Sequence, residues 1–383
     1  MKKGSISEYR RRADSVGCVA VKRLSLFSLI AIMASCSNKP PPDYAPDPGL
    51  IASITEIRMS LYDGRVCPGN TIRASYEAVL DDGAIIPFAT RYDDDYPPPL
   101  HIIFLNRQSS EATPRNDGGW STNPDPLYSV LSGFRLNAYL RANPSLSVTQ
   151  VVEPDYSCER AAFAFHGQRG SRGQIGRPGP DVTVHLNVLS SPFYEELLVA
   201  SVEVGQAPPF YVFADATYMP HADWLVVESR GGPGGLGVAG TNGAEGTNGA
   251  DGCPAGTGGA GGAGGNGGPG GAGGPGGHTT IMVPDDQPLL AGLVEAYSSS
   301  GPGGKGGPAG KGGAGGEGGK GTTSGARRCT DGTAGAAGAD GAAGVDGPDG
   351  LPGSRPQVIT VPADRLLRDP RIGRLLEYHY GGR

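Results

Sequence analysis

The chain has 383 residues, of which 66 are Gly and 34 Pro, with aromatics at 7% and a formal net charge of −6. The glycine bias is local: 46 of the glycines fall in four runs between positions 231 and 353, so low-complexity segments stand beside a stretch of ordinary globular profile over about 50–230. The first 35 residues hold seven Lys/Arg and two acids, so the remainder carries −11, which removes nucleic acid and electrostatic binding to anionic lipid from the expected partners, since both need clustered Lys/Arg.

Lys22-Arg23 precede the apolar run 24–33, which ends in Ala34-Ser35-Cys36. A basic region, a short apolar region and small residues before a cut make a secretory signal, expected over 1–35, and the apolar run is too short for an ordinary membrane span. Met33-Ala34-Ser35-Cys36 resembles the lipobox of bacterial lipoproteins, with Met33 where Leu is usual. That resemblance implies acylation of Cys36 as the mature N-terminus and a lipid anchor in the cell envelope, at the outer membrane or cell surface. Each buried methylene of such an anchor contributes ~0.8 kcal/mol, so several acyl chains make attachment lasting. Residues 36–49, with five prolines, read as an extended tether.

Cys18 leaves with the signal and Cys36 takes lipid, leaving Cys67, Cys158, Cys253 and Cys329. An even remainder in an exported chain reads as two disulfides. No C-x-x-C pair is present, so neither a zinc site nor a thioredoxin-like motif is expected.

Residues 50–230 read as β-structure. Ile72, Ala74, Tyr76, Ala78 and Leu80 alternate with polar residues, as do Phe134, Leu136, Ala138 and Leu140, and again Val182, Val184, Leu186 and Val188. Half-buried strands need that period of two. Turn chemistry at Asp63-Gly64, Pro68-Gly69 and Asn143-Pro144 separates the strands, which suggests a β-sandwich. Cys67-Pro-Gly-Asn followed by a strand and Asp81-Asp-Gly83 resembles bacterial immunoglobulin-like modules. Cys67 and Cys158 stand near opposite ends of this half and are expected to pair.

Over 231–252, 256–277, 301–321 and 332–353 glycine recurs at every third position, in runs of 22, 22, 21 and 22 residues; a shorter run of the same kind, 167–180, is inserted in the β-part. Triplet glycine resembles collagen, whose three-per-turn extended helices put every third residue on one line where only Gly lets backbones touch. Proline is sparse at the other positions, which lends a collagen trimer weak support; equal run lengths better suit a bundle of polyglycine-II-like helices within one chain, with a trimer or disordered linkers as the alternatives. Runs 256–277 and 301–321 read Gly-Gly-x and so suit inner members, while 231–252 and 332–353 read Gly-x-x and suit outer ones. Up-and-down arms place Cys253 and Cys329 at one tip, where they are expected to bond. Strand-like pieces around 224–228, within 279–297 and at 357–361 are expected to tie the arms to the sandwich, and 354–383 to form a final strand and helical tail. The fold class expected is thus all-β, a sandwich followed by extended glycine helices.

Catalytic signatures are sparse. Gly235-x-Gly237-x-x-Gly240 has the spacing of a dinucleotide fingerprint but lies inside triplet repeats instead of between a strand and a helix. The six histidines form no H-x-x-x-H pair, no G-x-S-x-G elbow is present, and His185 reads as a surface residue on the polar face of a strand. No catalytic, cofactor or metal residue is assigned, and no enzyme activity is expected. The sequence points to a lipid-anchored structural or adhesive surface protein, with the membrane, an envelope polysaccharide or a copy of itself as partners. The alternatives are a soluble-ligand site in the sandwich loops, at Asp93–Tyr96 or Trp120, and, more remotely, a hydrolase.

Overall fold

The computed structural model describes residues 40–158, 160–217 and 224–381; the signal region, Cys36 and His221 lie outside the described residues. The three clearest alternating segments all become strands, at Ala74–Leu80, Phe134–Leu140 and Val182–Ser191. The fold is all-β, with two short α-helices, α1 (Pro48–Ser53) and α2 (Gly373–Gly381).

The first part comprises β1 (Ile54–Leu61), β2 (Arg65–Val66), β3 (Thr71–Ile72), β4 (Ala74–Leu80), β5 (Ile85–Pro87), β6 (Leu105–Gln108), β7 (Ala112–Pro114), β8 (Trp120–Thr122), β9 (Phe134–Leu140) and β10 (Asn143–Pro154). They form three small sheets, ordered β1-β4-β5, β2-β10-β9-β6 and β3-β8-β7. One core gathers their inward faces, with Ile72, Tyr76, Leu100, Trp120, Phe134 and Leu136 essentially inaccessible. The Trp120 indole N–H donates to the Tyr76 hydroxyl at 2.9 Å, which satisfies both buried polar groups. Tyr44 stacks on Phe104 at 5.1 Å and meets Tyr92 edge-on at 4.9 Å. The tether expected over 36–49 is therefore docked on the first part from Tyr44 onward.

The second part draws on both halves of the sequence. β11 (Ala161–His166), β15 (Leu225–Arg230) and β17 (Val294–Ser299) form a parallel sheet. Facing it is a five-stranded sheet ordered β14 (Phe210–Asp215), β13 (Tyr194–Val204), β12 (Val182–Ser191), β16 (Thr279–Pro284), β20 (Gln357–Val361). Within it β12, β16 and β20 are parallel. Leu198, Ala200 and Val202 of β13 enter the core between the sheets, whereas Leu197 and Val199 face α2 and the chain leading into it. A strand covered on both sides reads as a continuous apolar run, which is why β13 lacks alternation.

Two expectations are corrected here. Residue 230 is not a domain boundary, because sheets formed by 161–230 are completed by strands from 279–361. An immunoglobulin-like sandwich takes two antiparallel sheets, whereas residues 54–154 make three small ones and 161–230 join largely parallel ones. The Cys67–Cys158 disulfide forms as expected, where β2 pairs with the end of β10.

His101 is buried, and its Nδ1 accepts from the Ile103 N–H. Burial holds the imidazole below its ordinary range. The unfolded chain takes up a proton near pH 6.5 that the native His101 resists, so the stabilisation is full above that pH and declines as pH falls below it, by up to about 1.4 kcal/mol per pH unit. His185 adds in the same direction, since burial outweighs the effect of nearby Glu203. His101→Asn keeps an acceptor at the cap and removes the titration. Urea unfolding at about pH 7.5 and about pH 5.5 is expected to show a smaller pH difference in this variant than in the parent chain.

Candidate functional site: the glycine array and its tip

Each strand of the parallel sheet β11-β15-β17 runs straight into a glycine segment: 167–170, segment A (231–252) and segment C (301–321). The parallel strands β12, β16 and β20 are each entered from one: 174–179, segment B (256–277) and segment D (332–353). The glycine segments thus inherit two layers and their order from the strands, with directions opposed between layers.

Backbone hydrogen bonds continue this arrangement along the segments. Within the first layer, Gly234, Gly237, Gly240 and Gly243 of A donate to the carbonyls of Pro302, Lys305, Pro308 and Lys311 of C, and the series continues to Gly252. Within the second, Gly258, Gly261 and Gly264 of B donate to Thr333, Ala336 and Ala339 of D, continuing to Gly276. Between layers B donates to A, C to B and D to C, again at every third residue. B and C therefore each have three long neighbours, while A and D have two. This matches the division into Gly-Gly-x and Gly-x-x segments.

Glycine spacing has a steric cause. A Cβ placed on Gly313 would sit 1.9 Å from the Ala244 carbonyl oxygen, and one on Gly264 would sit 2.2 Å from that of Gly310. Side chains are admitted where a segment has no neighbour: Lys305, Lys311, Glu317 and Lys320 of C are exposed.

A second pattern escaped sequence reading. Asn and Asp at the x positions accept hydrogen bonds from backbone N–H groups of the adjacent segment that the glycine ladder leaves over. Asn242, Asn248 and Asp251 accept from Lys311, Glu317 and Lys320. Asp331, Asp340, Asp346 and Asp349 accept from Gly321, Gly312, Gly306 and Gly303, and Asn266 accepts from Ala342. By the same register Ala239 stands opposite Pro308, whose nitrogen has no hydrogen to offer. The legible signal was the recurring Thr-Asn-Gly and Ala-Asp-Gly triplets. The Lys305 ammonium and then the Gly306 N–H hold Asp346 below the usual carboxylate range; for Asp331 the Gly321 N–H leads. The Lys305–Asp346 ion pair at 2.7 Å is solvated on both sides, so it adds little beyond this backbone bonding.

At the far tip the Cys253–Cys329 disulfide joins the turn between A and B to the hairpin of β18 (Thr323–Ser324) and β19 (Arg327–Arg328). It closes a sequence separation of 76, worth roughly 4 kcal/mol on the chain-entropy argument. The insert 167–180 also has a clear place. It turns at Ser171–Gln174, with Gly173 at φ +66°, and its two limbs bond to A and B near the base.

Elsewhere the chemistry is limited. Trp120 is fully buried, so a ligand in the first-part loops cannot reach it, although Tyr96 beside Asp93–Asp95 is 84% exposed. Glu111 lines a cleft of about 300 Å³, but its carboxylate accepts from the Ser109, Ser110 and Ser132 hydroxyls and the Arg135 N–H. It thereby organises its own loop. Among the described residues the one cluster with metal-ligand spacing is Cys67, Asp155 and Cys158, whose thiols are spent in the disulfide. His185, expected at the surface, is largely buried, with Glu203 3.3 Å away. No described helix is long and apolar enough to cross a membrane. No family model, curated protein or solved structure matches this chain.

Gly313→Ala is expected to cost roughly 3 kcal/mol or more, since the added methyl meets backbone that no rotamer can move. Gly64→Ala, with nothing within 4 Å of the added carbon, should stay within about 0.5 kcal/mol of the parent. Thermal unfolding followed by protease resistance of 231–353 separates the two. Cys253→Ser is expected to loosen the tip, seen as faster cleavage within 322–331 while the first part is unaffected.

Proposed function

We propose that this chain is a lipid-anchored envelope protein of structural or adhesive kind that presents a polyglycine-II-like bundle as a rigid projection. The observation that carries this reading is the ladder of glycine N–H bonds at every third residue, within and between layers and along the whole length of A to D. A repeat of three in both donors and acceptors is what extended three-per-turn helices produce. Because the ladder closes within one chain, it favours an intramolecular bundle over a three-chain collagen assembly.

At ~3.1 Å per residue a 22-residue segment reaches ~68 Å. A projection of that length, stapled at its tip and rooted in two sheets, suits display or contact better than turnover. Cys36 is the proposed lipid site, and the membrane is the partner it implies. An envelope polysaccharide or a second copy of the chain are the proposed contacts of the array.

The test has two readouts. Circular dichroism and limited proteolysis, with and without reductant, are expected to show a polyproline-II-like spectrum and a resistant fragment covering 231–353, both weakened by reduction. Free thiols together with rapid loss of that region would sink the scaffold reading. Labelled fatty acid is expected on the parent chain expressed in a bacterium with the lipoprotein pathway, and to be absent after Cys36→Ser. Label that persists in the variant would remove the anchor.

A further inference from the structure

The two broad faces of the array differ in charge in a way its construction does not demand. On the A/C face, Glu245 and Asp251 lie on the row of A beside C, and C contributes Lys305, Lys311, Glu317 and Lys320. Opposite lies the B/D face. Its B row, every third residue over 257–275, reads Thr, Ala, Ala, Asn, Pro, Ala, Pro; its D row, every third residue over 333–351, reads Thr, Ala, Ala, Ala, Val, Pro, Leu. None of these 14 side chains is charged, although most are exposed. Val345 and Leu351 are 72% and 76% exposed. The acids of D lie instead on its other row, against C, where they accept backbone hydrogen bonds.

Solvated surfaces are ordinarily about 25–35% Lys, Arg, Glu and Asp, so a projection bathed in water on every side would be expected to place several charges among 14 exposed positions. The A/C face does so. Short side chains also make the B/D face flat, so a second flat surface can approach it closely along its length. Segments of ~68 Å, two abreast at roughly 5 Å, offer about 700 Å². That is close to the area each partner contributes to a specific protein–protein interface. A polysaccharide surface would be expected to carry aromatic platforms, and neither row contains an aromatic residue.

We propose that the uncharged B/D face is an interface between two copies of this chain, an inference that rests on the array being folded as proposed above. A two-fold axis in the plane of the face and perpendicular to the rows lays like rows against like rows and leaves both charged A/C faces outward, so association closes at the dimer. Attraction in this contact is apolar, and repulsion between net-acidic chains is kept away from it.

Sedimentation equilibrium of the chain carrying Cys36→Ser, which removes the proposed anchor, tests this directly. A dimer is expected at tens of micromolar and is expected to survive about 1 M salt, which screens charge but not apolar contact. Ala339→Glu with Val345→Glu, on the D row, is expected to weaken dimerisation at least about 100-fold, whereas Ala314→Glu on the charged face leaves it unchanged. Protease resistance of 231–353 is measured on every variant, so an unfolded array is told apart from a folded monomer. A parent chain that is monomeric with a resistant array overturns the interface alone, as does a dimer dissolved by salt or indifferent to the D-row pair. A protease-sensitive array in the parent chain overturns the scaffold reading and the interface with it.

Discussion

Contact between glycine α-carbons and the carbonyl oxygens of neighbouring segments governs this molecule. At position after position in 231–353 an added Cβ would fall about 2 Å from backbone, so the segments are as close as polypeptide chains can lie. That closeness lets each third N–H reach a carbonyl in another segment. It also removes the usual source of stability, since glycine and alanine bury little apolar surface and glycine loses the most freedom on ordering. The array has to be held by directional bonds and by constraints at its ends.

Both ends are constrained, by different means. At the base, six glycine stretches grow out of six parallel-sheet strands that enclose a conventional core containing Val184, Leu186, Leu225, Val227 and Ile281. At the tip one disulfide ties the two turns. Between them the Asn and Asp rows act as local struts, accepting N–H groups that would otherwise depend on water. Hydrophobic burial thus fixes only the root, and hydrogen bonding carries the geometry outward from it.

Much of this was legible in the sequence, because period-three glycine and period-two alternation are both direct images of geometry. The pairing of Cys253 with Cys329 followed from equal segment lengths, and the inner and outer roles followed from Gly-Gly-x against Gly-x-x. What was not legible depended on contacts between distant strands. Nothing local says that β15 pairs with β17, with Leu225 opposite Val294, across two glycine segments and β16, so a boundary at 230 looked natural. Trp120, an aromatic residue near loops, is bound instead to Tyr76 inside the first core. His185 sits at a polar position of β12 yet is shielded by neighbouring elements. The side-chain acceptors were overlooked because Asn and Asp in a glycine-rich tract read as solubilising residues, and their partners lie far away in sequence.

The ladder that joins each segment to its neighbours also restricts how this array can vary. Any change of length in one segment must come in whole triplets, or the glycines beyond it turn away from the contact line and side chains are driven into backbone. A triplet added to A shifts its tip relative to B and C unless both gain one too, and D must follow because it is bonded to B and C. Reach is therefore a quantised property of the whole array, with a step of about 9 Å. The tip hairpin lies beyond the glycine ladder and escapes the triplet rule, but it must still bring Cys329 to Cys253.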